Sequence, residues 1–294
     1  MRFFLRNVFL FLSIPTAILI IFFSYTTHIS KSYKLKENIT ILISGDSHVT
    51  SAIDDKDMNI PNIQNIGKPA ESIYFSYYKI KHLLETNPNI KTIYFGLSYH
   101  NITDFADIFT KGKRSFFYAP PYFYVLPLKE KLRSFKWNSN NESVYIKNII
   151  NSGIESIKFM PSYIGEGFSN NSLLELSKSK ADFRIKEQYF EGGKLRDFSS
   201  LNLHYLEMII KLLDEEKVEL FILNIPLADY YKSKIPKEYI IKYDEIIKEY
   251  DLEVIDFSEL ELGDPKYFLP DGDHVNAKGA NFITQEFKRI LLLK

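Results

Sequence analysis

Two short stretches, one near each end of the soluble part of the chain, hold the residue types that acyl-transfer chemistry needs. The first is Gly45-Asp46-Ser47-His48 and the second is Asp271-Gly272-Asp273-His274-Val275-Asn276. A serine hydroxyl is a weak nucleophile until a neighbouring base takes its proton. A carboxylate three residues before a histidine can turn back onto the ring, fix its tautomer and stabilise the imidazolium, while the other ring nitrogen serves the serine. The expected set is therefore Ser47 as nucleophile, His274 as base and Asp271 as the group that orients it. Gly-Asp-Ser is also a common turn or capping sequence, and Asp271 and Asp273 are good turn formers with His274 beside a helix start. A divalent ion on Asp271, Asp273 and His274 is the other alternative. No second histidine or carboxylate has matching local spacing, so no metal and no cofactor is expected.

These stretches are useful only if secondary structure brings them together. Residues 39–43, 62–66, 90–97, 218–225 and 252–257 are short apolar runs rich in β-branched residues and bounded by turn formers, which predicts five buried strands. Between them, 201–216 and 239–250 carry apolar residues at helical spacing, 276–293 closes the chain as a helix, and Pro69 is expected to open a helix that runs to Glu85. Strands alternating with helices, each strand nearly continuous in apolar residues, predict a doubly wound α/β fold with a parallel sheet of about five strands covered on both faces. In such sheets ligands collect beyond the carboxyl ends of the strands. Ser47 follows the first strand, Gly67 the second, Ser98 to Asn101 the third, and Asp271 with His274 the fifth.

Residues 102–200 break the rhythm and are crowded with aromatics, as in Phe116-Phe117-Tyr118-Ala119-Pro120-Pro121-Tyr122-Phe123-Tyr124. An insertion at that point would stand beside the C-terminal strand edge, either as a cap over a substrate cleft, as a cover for the sheet edge, or as a surface lying against a membrane. The start of the chain supports a membrane role: Arg2 and Arg6 precede an apolar run from Val8 to Phe23 that is apolar all round a helix. The small-residue signal for cleavage is poor, so an uncleaved anchor is expected. Lys31, Lys34 and Lys36 balance Arg2 and Arg6, so charge does not set the orientation. An extracytoplasmic domain is adopted as the commoner outcome.

Bulk properties remove other classes. Lys plus Arg and Asp plus Glu are both 37, so no global field favours nucleic acid as a partner. The chain has no cysteine, which excludes disulfides, thiolate metal sites and a cysteine nucleophile. No glycine-rich phosphate loop is present.

Taken in their order along the chain, Gly45-Asp46-Ser47 after the first strand and Asp271 to His274 before the last helix resemble the SGNH hydrolase superfamily, also called GDSL esterases. The resemblance implies an SGNH/flavodoxin-like sheet, with residues 1–37 as anchor and linker, 38–294 as the α/β domain and 102–200 inserted in it. It implies an oxyanion hole in which the Ser47 N–H is joined by Gly67, from Asn65-Ile66-Gly67. The family expects Gly-x-Asn-Asp after the third strand, where this chain has Gly96-Leu97-Ser98-Tyr99-His100-Asn101. Ser98 stands in the asparagine's place, and Asn101, Ser98 or His100 is expected to substitute. His48 and His100 are carried as substrate-binding candidates, His48 with a local packing role as its alternative. The function implied is a serine esterase or O-acyltransferase acting on acyl esters, with cell-envelope glycans as the substrate class that suits an anchored protein. The competing expectation is a catalytically idle domain of the same fold that binds envelope glycan or a partner protein.

Overall fold

The computed structural model describes residues 1–31, 35–158, 165–170, 172–260 and 262–293. Lys34, and residues 159–164 and 171 of the expected insertion, lie outside the described residues.

Helix α1 (Arg2–Lys31) leaves its apolar side chains uncovered over most of its length. Phe9, Phe11, Ile14, Ile18 and Ile21 are all exposed, and burial begins only at its far end, where Thr26 and Ile29 are enclosed. A helix of this length and hydropathy is able to cross a bilayer.

The core is a five-stranded sheet of β1 (Ile41–Ser44), β2 (Ile63–Asn65), β3 (Thr92–Gly96), β4 (Glu219–Asn224) and β5 (Glu253–Asp256). The strands are parallel and ordered β2-β1-β3-β4-β5. β3 is buried at every residue, as a strand covered on both faces must be, which is why its sequence shows no polar alternation. Helix α2 (Ser47–Ala52) follows β1 and α3 (Ile73–Thr86) follows β2. The α3 helix starts at Ile73 behind Ser72, not at Pro69. Pro69 instead belongs to a turn in which Ala70 takes a positive φ of 58°, a conformation that keeps helix from forming there.

All five carboxyl ends finish at one edge, and two glycines let the chain turn there. Gly45 has φ of 147°, and a side chain on it would meet Val49 Cγ2 at 2.8 Å. A side chain on Gly96, at the end of β3, would meet the same methyl at 2.2 Å. The buried Val49 of α2 thus wedges between two strand ends that must carry no side chain.

The stretch after β3 begins with single turns and then forms α4 (Leu128–Trp137), α5 (Glu142–Lys158) and α6 (Lys178–Tyr189), before α7 (Ser200–Glu215), α8 (Lys237–Glu249) and α9 (Ala277–Leu293) resume the regular alternation. Most of its aromatics are core: Tyr122, Tyr124, Tyr145 and Tyr189 are fully buried. α1 packs along α5, with Thr26 against Gly153 and the Phe23 ring 6.4 Å from that of Phe123. Four of the sheet-flanking helices form two pairs with close contacts: α3 on α7 and α2 on α9.

Candidate active site at the sheet edge

Ser47 is the first residue of α2, and Asp46 caps that helix by accepting the His48 N–H at 2.9 Å. Ser47 is therefore held at a helix start, where amide N–H groups have no acceptor within the helix. Its Oγ lies 2.8 Å from His274 Nε2. On the other side of the ring, Nδ1 lies 2.8 Å from Asp271 Oδ2. An ionised carboxylate only accepts, so Nδ1 carries the hydrogen and Nε2 is free to accept from the serine hydroxyl.

The turn that presents His274 is over-determined. Asp271 Oδ1 accepts the backbone N–H groups of Asp273 and His274, both at 3.1 Å. Gly272 takes φ of 69°, and Asn276 donates its amide to the carbonyls of Lys266 and Leu174 at 2.8 and 3.1 Å. Burial opposes ionisation of Asp271, but the adjacent His274 outweighs it and lowers the carboxyl below its ordinary value.

Beneath this set lies a second polar layer that is almost sealed. His48 places Nε2 3.0 Å from Asp273 Oδ1 and Nδ1 2.9 Å from Ser98 Oγ. Asp273 also accepts from Arg184 Nε at 2.8 Å and from Gln188 Nε2 at 2.7 Å. Burial raises the cost of its charge, yet His48 and Arg184 hold the Asp273 carboxyl well below the usual range. Burial likewise works against a charged His48, and here the Asp273 carboxylate wins, so His48 titrates above its ordinary value. Asp46 accepts from His100 Nε2 at 2.8 Å and from Asn101 Nδ2 at 2.7 Å. Burial opposes its ionisation as well, and these neighbours hold it low. For His100 burial prevails and its titration falls below the ordinary value. We therefore read this pair as a neutral imidazole donating to a carboxylate.

A cleft of about 210 Å³ opens on Ser47 and His274. Pro69, Ala70 and Glu71 form one wall, and Phe105, Phe109 and Tyr118 form another, with Arg114 and Arg184 at hand. Glu71 is already held by Lys79 at 2.6 Å and by Tyr122, a buried pair that also ties the Ile66 carbonyl.

The structure thus brings Ser47, His274 and Asp271 together, and places Asn101 and His100 on the cleft. Three expectations are corrected. Gly67 does not offer a free donor: its N–H goes to Asn65 Oδ1 at 2.9 Å, and its carbonyl accepts from Glu166 and Gly167. Ser98 does not face the cleft, because its N–H is taken by Asn101 Oδ1 and its hydroxyl by His48. His48 is 1% exposed and has both ring nitrogens engaged, so it contacts protein and not substrate. Asn101 keeps its amide on Asp46 while lining the cleft. His48, Asp273 and His274 bring ligand atoms within 4.8 Å of one another, but a metal there would have to displace the hydrogen bonds just described. Sequence reasoning missed Arg184, Gln188 and Arg114. All three come from the insertion, where no local pattern marks them.

No family model and no curated protein matches the sequence. Solved structures similar in chain course include a Streptococcus pneumonia protein described as a platelet activating factor, at 13% identity and a TM-score of 0.41, covering 97% of this chain and 98% of that one. Two more are a GDSL-like lipase from Bacteroides thetaiotaomicron, at 9% identity and a TM-score of 0.39, covering 92% and 97%, and an acylhydrolase from Bacteroides fragilis, at 9% and 0.37, covering 91% and 95%.

Proposed function

We propose that this chain, which resembles the SGNH hydrolases, is a serine-dependent ester hydrolase or O-acyltransferase, membrane-anchored through α1, that acts on acyl esters of cell-envelope glycans on the extracytoplasmic side. What carries the catalytic reading is the unbroken line Ser47 Oγ to His274 Nε2 to Asp271, 2.8 Å at each step and open to a cleft. In the first half-reaction Ser47 Oγ attacks the ester carbonyl as its proton passes to His274 Nε2. Asp271 stabilises the resulting imidazolium. The developing oxyanion lies near the Ser47 N–H, and the partner we assign it is the second N–H of the Asn101 amide at the cleft wall, the first being given to Asp46. Collapse of the tetrahedral intermediate breaks the bond to the leaving oxygen, which receives the proton from His274, and the acyl group stays on Ser47. A water or a sugar hydroxyl then gives its proton to His274 and attacks the acyl carbon, and collapse of this second intermediate breaks the bond to Ser47 Oγ, which takes the proton back from His274.

Substitution Ser47→Ala in the full chain is expected to abolish labelling by a fluorophosphonate and to lower hydrolysis of an activated acetate ester by a factor on the order of 10⁴ or more. Unchanged labelling removes Ser47 from this role. One observation favours the second reading, a non-catalytic glycan-binding or partner-binding domain: the Gly67 and Ser98 donors are spent inside the protein. Full biological activity in a Ser47→Ala/His274→Ala double variant would select it.

A further inference from the structure

Helix α4 (Leu128–Trp137) carries apolar side chains on a face it does not bury. Its inward side mixes the buried Glu130, which accepts the Tyr74 hydroxyl at 3.0 Å, and the buried Ser134 with the half-buried rings of Phe135 and Trp137. Its outward residues include Leu128 and Leu132, one turn apart, 73% and 63% exposed. A solvent-facing helix ordinarily keeps polar residues on that outer face. The surrounding stretch is strongly cationic. Residues 111–147 hold eight Lys or Arg against two Glu, in a chain whose total charge is zero. Some of these cations are paired, Lys111 with Asp107, Arg114 with Glu187 and Arg133 with Glu130, while Lys113, Lys129, Lys136 and Lys147 lie on exposed positions of the same surface stretch.

The position of α4 relative to α1 gives this face its environment. Phe23 is half-buried toward the enclosed end of α1, and its ring packs on Phe123. The same Phe123 ring meets Phe135 of α4 at 5.6 Å and lies under Lys131 Nζ at 5.3 Å. Ile21, only two residues before Phe23, is 67% exposed. Phe23 lies two residues, about 3 Å along the helix axis, from the uncovered Ile21, so α4 reaches the end of the uncovered apolar part of α1 through one intervening ring, that of Phe123. An amphipathic helix with apolar side chains outward and cations around them, held at the end of a spanning helix, has the composition of an element lying in a lipid headgroup layer.

We propose that α4, with the exposed Phe117 (66%) of the preceding turns, is an interfacial seat on an anionic lipid surface. The occupant is the bilayer that α1 enters, so the inference rests on the membrane-anchor reading of α1. The adjoining residues Arg114 and Tyr118 line the cleft beside Ser47, so the seat sets the cleft close to the bilayer surface.

The chain has no cysteine, which makes single-site labelling direct. The full chain is reconstituted in vesicles of phosphatidylcholine with or without phosphatidylglycerol, carrying a small fluorophore at Leu132→Cys, at Ile18→Cys in α1, or at Ile241→Cys, an exposed position of α8. Quenching by a shallow lipid nitroxide, a deep lipid nitroxide and aqueous iodide is measured for each. The seat predicts that the Leu132 probe is quenched by the shallow nitroxide and is at least about twofold less accessible to iodide than the Ile241 probe, since such a face sinks on the order of 5–10 Å into the headgroup boundary. It also predicts that phosphatidylglycerol strengthens the effect. A Leu132 probe open to iodide while the Ile18 probe responds to the deep nitroxide overturns the seat and leaves the anchor standing. A Leu132 probe shielded from iodide and from both nitroxides assigns the face to a protein partner and overturns it too. An Ile18 probe that no lipid nitroxide reaches removes the anchor, and the seat with it.

Discussion

The molecule contains the same constellation twice. Ser47, His274 and Asp271 form one serine–histidine–aspartate line; Ser98, His48 and Asp273 form another, with contacts of 2.9 and 3.0 Å. The two aspartates are two residues apart in one turn, and the rings of His48 and His274 lie 5.0 Å from each other. They differ in polarity and in access. In the first line the carboxylate holds Nδ1 and the serine meets Nε2; in the second these are exchanged. The side chains of His274 and Asp271 are 11% and 30% exposed, whereas His48 and Asp273 are each at 1%. A nucleophile needs a place for the reacting carbon, and only Ser47 borders the cleft. The buried line has the connectivity of a catalytic set and the location of a scaffold.

Exchanging each aspartate for asparagine should separate the two roles. Asp271→Asn leaves the turn formed but favours the wrong ring tautomer, so ester turnover should fall by a factor on the order of 10⁴ with the urea midpoint nearly unchanged. Asp273→Asn leaves His48 and Arg184 buried without their counter-charge, which should cost about 3–5 kcal/mol in urea unfolding. Equal losses of stability in the two variants would erase the distinction.

A finer test uses pH. His48 titrates above its ordinary value of 6.5 when folded, so its contribution to stability is fully present below 6.5 and is lost as the pH rises through the folded value. His100 titrates below 6.5, so its neutral burial favours folding above 6.5 and that contribution is lost as the pH falls from there. In urea unfolding followed from pH 5 to 9, His48→Gln should flatten the decline on the alkaline side and His100→Gln the decline on the acid side. Loss of the alkaline decline in His100→Gln would reverse the assignment of the two rings.

The smallest effect is expected at the buried serine. Ser98→Ala removes one hydrogen bond to His48 and should cost about 1–2 kcal/mol of stability, with fluorophosphonate labelling at the wild-type level. Lost labelling there, with labelling kept in Ser47→Ala, would exchange the two serines.

How much of this could be read from the chain follows from the range of the interactions. The five strands were legible within one or two residues because a parallel sheet buried on both faces demands continuous apolar runs. The pairing of Ser47 with His274 was legible because strand ends in this architecture converge on one edge. Three features were not. The start of α3 was misplaced because Pro69 suits a turn as well as a first helical turn. Gly67 and Ser98 were assigned from the position of their blocks, and only the fold reveals that Asn65 and His48 have claimed them. Arg184 and Gln188 sit on α6, a helix whose inward side is chosen by contacts with Asp273, 89 and 85 positions away. The insertion resists reading because its inner faces mix buried aromatics with buried polar residues, as Glu130 and Ser134 lie beside Phe135 in α4.

The Val49 wedge makes the order in which this edge changes over generations matter. Alanine at position 96 collides with a Val49 methyl, yet its Cβ would stand 3.7 Å from the Val49 Cβ and from the Ser44 carbonyl, distances of ordinary contact. The bulk at position 49 must therefore shrink before position 96 can grow without strain, and a lineage that takes the steps in the opposite order passes through an overpacked, destabilised intermediate. Two positions that bear no reactive group are in this way locked into a shared history by a single methyl.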